Sequence, residues 1–196
     1  MPVERALSPA TIAVTAGRPS NAGDPLNQPI VLASNFRAGG EYTRTHGTDT
    51  WAALEAAIGA LEGGQAIAFA SGMAAAAAIV YALAPKVVVI PTFSYLGVRS
   101  LLSEYQLQGH VELRPVDITD TAAVAAAAVG SDVVWVETPT NPTLDVADLP
   151  AIGMASQDVG AQMVVDSTFA TPLLQRPLEH DGGTAGPSSS VGTATC

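Results

Sequence analysis

The strongest constraint on the fold of this chain is an alternation of short apolar runs with longer helix-like segments. The runs are AIAFA (66–70), VVVI (87–90), VELRPV (111–116), DVVWV (132–136) and QMVVD (162–166). Short runs rich in β-branched residues, separated by helical patterns, predict a parallel sheet with helices on both faces. The sequence therefore predicts an α/β domain.

The most regular helical pattern precedes the first run. Trp51, Leu54, Ile58 and Leu61 follow one another at spacings of three, four and three, which places them on one face of a helix. The EGG triplet at 62–64 predicts the end of that helix. The first forty residues are rich in Pro, Gly and Asn without a sustained period, and they predict an extended arm.

Composition limits the partners of the chain. The 196 residues, 48% of them hydrophobic, are enough to bury one sizeable core. The formal net charge of −10 leaves no basic stripe for a nucleic-acid backbone. The N-terminus has no apolar core of the signal-peptide kind, and the single cysteine, Cys196, forms no intramolecular disulfide. We therefore expect a cytoplasmic protein with no nucleic-acid or membrane partner.

The residues that follow each apolar run are the candidate site, because ligands of open parallel sheets collect at the carboxyl ends of the strands. After the first run, Ser71 can cap a helix, and the backbone amides of Gly72 and Met73 lie where a helix N-terminus favours an anion. A Ser-Gly pair is also common in strand-to-helix turns that bind nothing. Taken alone, the pattern favours that second interpretation.

Three later strand ends each supply a different group. Tyr95 offers an aromatic face or plain packing, and Asn141 offers an amide or simply a turn. Asp166 ends the last run, where its carboxylate can pair with a ring nitrogen or cap a helix. Only together do the anion site, the aromatic face, the amide and the carboxylate indicate a phosphorylated, flat ring that contains nitrogen.

The chain also resembles a known family. The matching stretches are EYTRTHGTDTWAALEAAIGALEGGQAIAFASGMAA (41–75), WVETPTNPTLDVADL (135–149) and VVDSTFATPLLQRPLEHD (164–181). From about Thr11 to Asp181 the sequence resembles the transsulfuration (Cys/Met metabolism) family of pyridoxal 5'-phosphate (PLP) enzymes, which includes cystathionine gamma-synthase, cystathionine gamma-lyase and methionine gamma-lyase. The resemblance implies an aspartate-aminotransferase-like (fold type I) PLP-binding large domain with a mostly parallel sheet.

The resemblance implies a role for each candidate residue at the strand ends. Gly72 and Met73 would bind the cofactor phosphate through their backbone amides, and Tyr95 would stack on the ring. Asn141 would lie near the phenolic oxygen of the ring. Asp166, with Thr168 nearby, would pair with the pyridine nitrogen and keep it protonated, so that the ring serves as an electron sink.

The resemblance also implies partners. Tyr42 and Arg44 match the pair that the family sends across an interface to the phosphate of a neighbouring subunit. A homo-oligomer, either a dimer or a tetramer, is therefore implied for a complete chain, with an amino acid as the substrate.

The sequence departs from the family most at its C-terminal end. The family's Schiff-base lysine lies in a Ser-x-Thr-Lys segment shortly beyond the LQRPLEHD equivalent, where this chain reads GGTAGPSSSVGTATC (182–196). The single lysine, Lys86, precedes the VVVI run and so lies at the amino end of its strand. HGTDT (46–50) stands where Gly-Asn-Pro-Thr is common, and Ser167 stands where Asn is common. The resemblance thus implies a chain truncated before its C-terminal part, with no catalytic lysine and inactive alone.

The expected organisation has three parts. They are an N-terminal arm and interface segment (1–49), an incomplete PLP-binding α/β domain (50–181) and a disordered low-complexity tail (182–196). Two functions stay open: a transsulfuration enzyme that acts at C–S bonds of sulfur-containing or O-acyl amino acids, and a non-catalytic PLP-binding remnant or subunit of an intact homologue.

Other classes of function are disfavoured by missing motifs. No G-x-G-x-x-G follows a strand, as a dinucleotide site requires, and no G-x-S-x-G is present. His46, His110 and His180 are scattered and lack metal-ligand spacing, so no metal is expected.

Overall fold

The structure is a computed structural model that describes residues 6–40, 42–180 and, for the backbone alone, 190–193. The chain divides into two compact units, residues 1–68 and 69–196. The domain boundaries expected at 49/50 and 181/182 stay predictions. No helix among the described residues is both long and apolar enough to cross a membrane.

The N-terminal unit is helical. It contains α1 (Pro9–Thr15), α2 (Thr43–His46) and α3 (Asp49–Glu62). The predicted helix is confirmed in α3, which ends where Gly63 adopts the left-handed conformation, with φ 78° and ψ 25°.

Helix α1 lies in the segment that was predicted as an extended arm, so that prediction is wrong for Pro9–Thr15. Ser8 caps it by accepting a hydrogen bond from the Thr11 amide at 3.2 Å, and Pro9 occupies its first position. Proline has no amide hydrogen to lose there, and its φ suits a first turn. The Ser-Pro pair was therefore a local helix-start signal in a segment without apolar periodicity.

The second unit is built around a parallel sheet, which confirms the predicted α/β fold. Its strands lie in the order β2-β1-β3-β4-β5, and every neighbouring pair is parallel. The strands are β1 (Val87–Pro91), β2 (Glu112–Val116), β3 (Val133–Glu137), β4 (Gln162–Asp166) and β5 (Ser190–Thr193). The helices are α4 (Gly72–Leu83), α5 (Leu96–Leu107), α6 (Thr121–Ala128), α7 (Leu149–Val159) and α8 (Thr171–Leu174), followed by a 3-10 turn (Pro177–His180).

Alternation along the strands divides the core between the two faces of this sheet. Trp135 and Val164 pack on the face that carries buried residues of α4 and α5. Val134, Val136 and Val165 pack on the opposite face, with buried residues of α6 and α7. Successive side chains of a strand point to opposite faces, so each strand contributes to both halves of the core.

The run at 66–70 is not a strand, which corrects the prediction. The Ala68 amide donates to Glu55 Oε1 at 2.8 Å, so a helix side chain satisfies it in place of a sheet neighbour. Ile67 and Phe69 are exposed. Apolar composition favours a strand only where another strand supplies the hydrogen-bonding ladder, and the described residues supply none beside this run.

Strand β5 falls within the segment that was predicted as a disordered tail. It pairs with β4 from Met163↔Ser190 to Asp166↔Thr193. An open strand edge is a template for any short extended segment. The rest of the predicted tail, residues 182–189 and 194–196, lies outside the described residues.

Candidate functional site

Strands β3 and β4 each end on a carboxylate. Glu137 and Asp166 are partners in the parallel register, so they lie side by side at the carboxyl edge of the sheet. They continue the alternation of Trp135 and Val164, which directs both side chains toward the face covered by α4 and α5. The two carboxylates therefore share one side of the sheet with the N-termini of those two helices.

Glu137 joins two loops. The residue is only 4% exposed. Its Oε2 accepts a hydrogen bond from the Tyr95 amide at 2.6 Å, and its Oε1 accepts one from the Asn141 amide at 2.6 Å. Burial raises the pKa of Glu137; the two amide bonds oppose this rise, and the neighbouring charge of Asp166 adds to it. The carboxylate thus fixes the start of α5 and the turn after β3 at the same point.

Asp166 is held by its own loop. Its Oδ1 accepts hydrogen bonds from the Thr168 amide at 3.1 Å and the Thr168 hydroxyl at 2.5 Å. It caps no helix, since α8 begins only at Thr171. Of the two interpretations open from the sequence, a carboxylate oriented at the strand end is the one that the contacts favour.

A cavity of about 150 Å³ opens at these strand ends. Its lining combines two aromatic rings, two carboxylates, an amide, a hydroxyl and a proline ring. The residues are Tyr95, Glu137, Pro139, Asn141, Asp166, Thr168 and Phe169. The volume is below the roughly 300 Å³ at which complete small-molecule pockets begin. This lining suits a flat ring that contains nitrogen, because the carboxylate of Asp166 at one edge can accept a hydrogen bond from the ring nitrogen.

Gly97, in the first turn of α5, brings two further predicted residues together. A Cβ atom at this position would lie 2.6 Å from Tyr95 Cε1 and 2.7 Å from Met73 Sδ. The Tyr95 ring and the Met73 thioether therefore both occupy the space that a side chain would fill. The missing side chain of Gly97 is what allows the aromatic ring to approach the first turn of α4.

The predicted anion site lies at the start of α4. Ser71 is its N-cap, and its hydroxyl accepts a hydrogen bond from the Ala74 amide at 3.1 Å. Gly72 and Met73 are the first two residues of this helix, where amide hydrogens have no acceptor within the helix. The cap is confirmed; phosphate binding by these amides stays a prediction.

The structure brings four of the predicted residues together. Tyr95, Asn141, Asp166 and Thr168 line one cavity. Tyr42 and Arg44 belong to the N-terminal unit, where Tyr42 precedes α2 and Arg44 lies within it. Their predicted contact with a cofactor phosphate stays a prediction.

Sequence reasoning did not place Gly97, Glu137 or Phe169 at the candidate site. For Glu137, the signal was an acid at the end of a wholly apolar strand, in register with a second acid at the end of the next. For Gly97, the glycine at the start of a helix was visible, but the close approach of Met73 depends on how α4 and α5 pack.

Comparison with known proteins identifies what this arrangement belongs to. Residues 10–184 match the Cys/Met metabolism PLP-dependent enzyme family. The chain is 43% identical over 183 residues to a cystathionine gamma-synthase of Mycobacterium tuberculosis. The match covers 87% of this chain and 47% of that protein. The crystal structure of metB from Corynebacterium glutamicum superposes with a TM-score of 0.81 at 34% identity, covering 89% of this chain and 48% of the other.

A second solved structure carries a ligand. Cystathionine gamma-synthase from Xanthomonas oryzae pv. oryzae, in complex with cystathionine, superposes with a TM-score of 0.79 at 34% identity and covers 90% of this chain and 48% of that one. This chain therefore spans about half the length of the relatives that it matches.

The parallel sheet, together with its superposition on these solved structures, places the chain in the PLP-binding α/β class of fold type I. Within that class, the chain belongs to the Cys/Met metabolism PLP-dependent enzyme family. PLP is accordingly the expected cofactor.

Proposed function

We propose that this chain forms the ring-binding part of a PLP enzyme of the cystathionine gamma-synthase and gamma-lyase kind. The observation that carries the proposal is that Tyr95, Asn141 and Asp166, which come from three different strand ends, line one cavity. Packing alone does not require an aromatic face, an amide and a carboxylate to converge, whereas a nitrogen-containing ring does.

Each of these residues has a distinct task. Asp166 accepts a hydrogen bond from the pyridine nitrogen and holds the proton there, and Thr168 keeps the carboxylate turned toward the cavity. Tyr95 covers a ring face and excludes water from it. Asn141 offers its amide to the ring oxygen. Gly72 and Met73 hold the phosphate at the N-terminus of α4.

When bound, PLP supplies an electron sink for chemistry at the α-carbon of an amino acid. The reaction class that we propose is cleavage or formation of C–S bonds on sulfur-containing or O-acyl amino acids. The active unit is a homo-oligomer in which Tyr42 and Arg44 of one copy serve the phosphate of another. The setting is the cytoplasm, consistent with a single cysteine.

The chain by itself binds PLP without a covalent bond and does not catalyse the reaction. Its single lysine, Lys86, precedes β1, and its amide donates to Asp132 Oδ2 at 2.7 Å. Lys86 therefore lies at the amino edge of the sheet, opposite the cavity. A non-catalytic role as a subunit of an intact homologue is compatible with the same site, and no described contact favours it over the first proposal.

A titration tests the proposed site. Purified chain is mixed with PLP, and binding is followed by cofactor fluorescence and by equilibrium dialysis. We expect saturable one-site binding that is lost on prolonged dialysis and is weakened by Asp166→Asn. The control is Asp132→Asn, which changes a carboxylate at the opposite edge of the sheet. Binding that is absent from the folded chain, or equal in both variants, contradicts the proposal.

A further inference from the structure

Two backbone amides from different loops converge on one side chain. Tyr95 and Asn141 are 46 positions apart in number, and both donate to Glu137 at 2.6 Å, one to each carboxylate oxygen. A bidentate acceptor of this kind fixes the separation of the two loops, because neither amide can move without losing its bond to the same rigid carboxylate.

Local turn formation does not account for both bonds. The bond to Asn141 closes the turn after β3 and spans four residues. The bond to Tyr95 spans 42 residues and reaches the start of α5, beyond β1. A residue that served only the turn would need a single oxygen, and a Ser, Thr or Asn at the strand end would supply it without a buried charge.

The turn itself has a separate support. Thr140 Oγ1 accepts a hydrogen bond from the Asp145 amide at 2.9 Å, and the Thr140 amide donates to the Asp145 carbonyl at 3.0 Å. Thr143 Oγ1 donates to Asp145 Oδ2 at 2.5 Å. These bonds already close the loop. The two bonds of Glu137 therefore determine where the loop lies relative to α5 more than they determine the internal shape of the loop.

We infer that Glu137 is a positioning residue. It holds the aromatic ring of Tyr95 and the side-chain amide of Asn141 at a fixed spacing across the cavity. It acts through the two backbone amides and leaves the ring nitrogen to Asp166. The placement of the loops stands on the contacts alone. Its consequence for PLP rests on the proposed function of the cavity.

The chain offers a matched control for this inference. Asp132 Oδ2 also accepts two backbone amides, from Lys86 at 2.7 Å and Val87 at 2.8 Å. It does so at the amino edge of the sheet. Because one oxygen accepts both bonds, an Asn could keep them, and Asp132→Ala is the variant that removes a charge and two amide bonds without touching the cavity.

The first experiment measures amide hydrogen exchange in the full chain without PLP. In Glu137→Gln, one of the two oxygens becomes an amide group that faces a donor, so at least one bond is lost. We expect exchange in peptides that cover Tyr95 and Asn141 to rise on the order of tenfold, with the Asp132→Ala variant unchanged there and faster only near residues 86–88. A folded Glu137→Gln chain with unchanged exchange at Tyr95 overturns the inference.

The second experiment measures PLP affinity in a double-mutant cycle. If Glu137 acts through Tyr95, Glu137→Gln weakens binding on the order of tenfold in the wild-type background and by clearly less in a Tyr95→Ala background. Equal losses in both backgrounds contradict action through Tyr95. Glu137→Asp, which keeps the charge but shortens the reach, should behave like Glu137→Gln.

The two experiments separate the two ideas. A wild-type chain that binds no PLP contradicts the proposed function, while the exchange experiment still decides the placement of the loops. Melting curves and far-ultraviolet circular dichroism of each variant establish that it is folded before either readout is compared.

Discussion

Glu137 and Asp166 lie in register on adjacent parallel strands, yet their carboxylates are committed to different partners. Glu137 accepts two amides from flanking loops, whereas Asp166 accepts the amide and hydroxyl of Thr168. The two acids at one edge of the sheet thereby have separate partners. In the proposed function, one holds the walls of the cavity and the other binds the ring nitrogen. This division makes the two residues separable by mutation.

Replacement of Asp166 by Asn should weaken PLP binding on the order of 100-fold, and more than Glu137→Gln does. An amide has no negative charge to hold the proton on the pyridine nitrogen, while Glu137→Gln perturbs only the position of the ring contacts. Dissociation constants from cofactor fluorescence compare the two variants. Equal affinities would show that Asp166 makes no contact of its own with the ring.

Replacement of Gly97 by Ala should displace the Tyr95 ring. The added methyl group would lie 2.6 Å from Tyr95 Cε1 and 2.7 Å from Met73 Sδ, and both side chains must move. Alanine also favours the helix by about 1 kcal/mol, which offsets part of the strain. We expect a free energy of unfolding within about 1 kcal/mol of wild type and a several-fold loss of PLP affinity.

The control for this substitution is Arg99→Ala, which truncates an exposed side chain on the same helix. Urea unfolding gives the stability of each variant, and tyrosine fluorescence reports the displaced ring. An unchanged PLP affinity in a folded Gly97→Ala chain would mean that the Tyr95 side chain does not contact the PLP ring.

The stability contributed by Glu137 should depend on pH. Burial raises its pKa in the folded chain, so the folded state binds this proton more tightly than the unfolded state does. Its contribution is therefore fully present below the unfolded pKa of about 4.3 and is lost as the pH rises through the higher folded pKa.

The difference in free energy of unfolding between wild type and Glu137→Gln isolates this effect, because the other carboxyl groups titrate in both proteins. Urea unfolding from about pH 4 to about pH 8 should show the difference moving against the wild type as the pH rises. A difference that moves in favour of the wild type would indicate that the two amide bonds outweigh burial.

Lys86 should form no covalent bond with PLP. It precedes β1, and the five residues of that strand separate it from the cavity edge. Five residues span roughly 16 Å, well beyond the reach of a lysine side chain. Borohydride reduction of a PLP-treated chain, followed by peptide mapping, measures the outcome. Stoichiometric labelling that disappears in Lys86→Arg would contradict the geometry of the site.

The sequence predicted the parts of this structure that depend on local pattern. Periodicity located α3, and apolar runs located both ends of β1 to β4 within one residue. Parallel topology then placed Tyr95, Asn141 and Asp166 at one edge without any knowledge of contacts. The sequence thus predicted the edge on which the candidate site lies and several of the residues that line its cavity.

The features that the sequence did not predict depend on contacts between residues that are distant in the sequence. The bond from Tyr95 to Glu137 joins loops 42 residues apart, and nothing near either residue indicates it. The run at 66–70 has a strand's composition, but a strand requires a neighbour. Strand β5 shows the converse, since a weakly apolar segment pairs with the open edge of β4.

The matched register of β3 and β4 has a consequence for how this chain can change in length. A strand alternates its faces at every residue, so one residue inserted within Val133–Glu137 would turn Glu137 toward α6 and α7 and away from Tyr95. Insertions of the same size in the loop between α6 and β3 would leave the alternation intact. Length variation among close relatives should therefore be concentrated in such loops, and the two strands should vary by substitution alone.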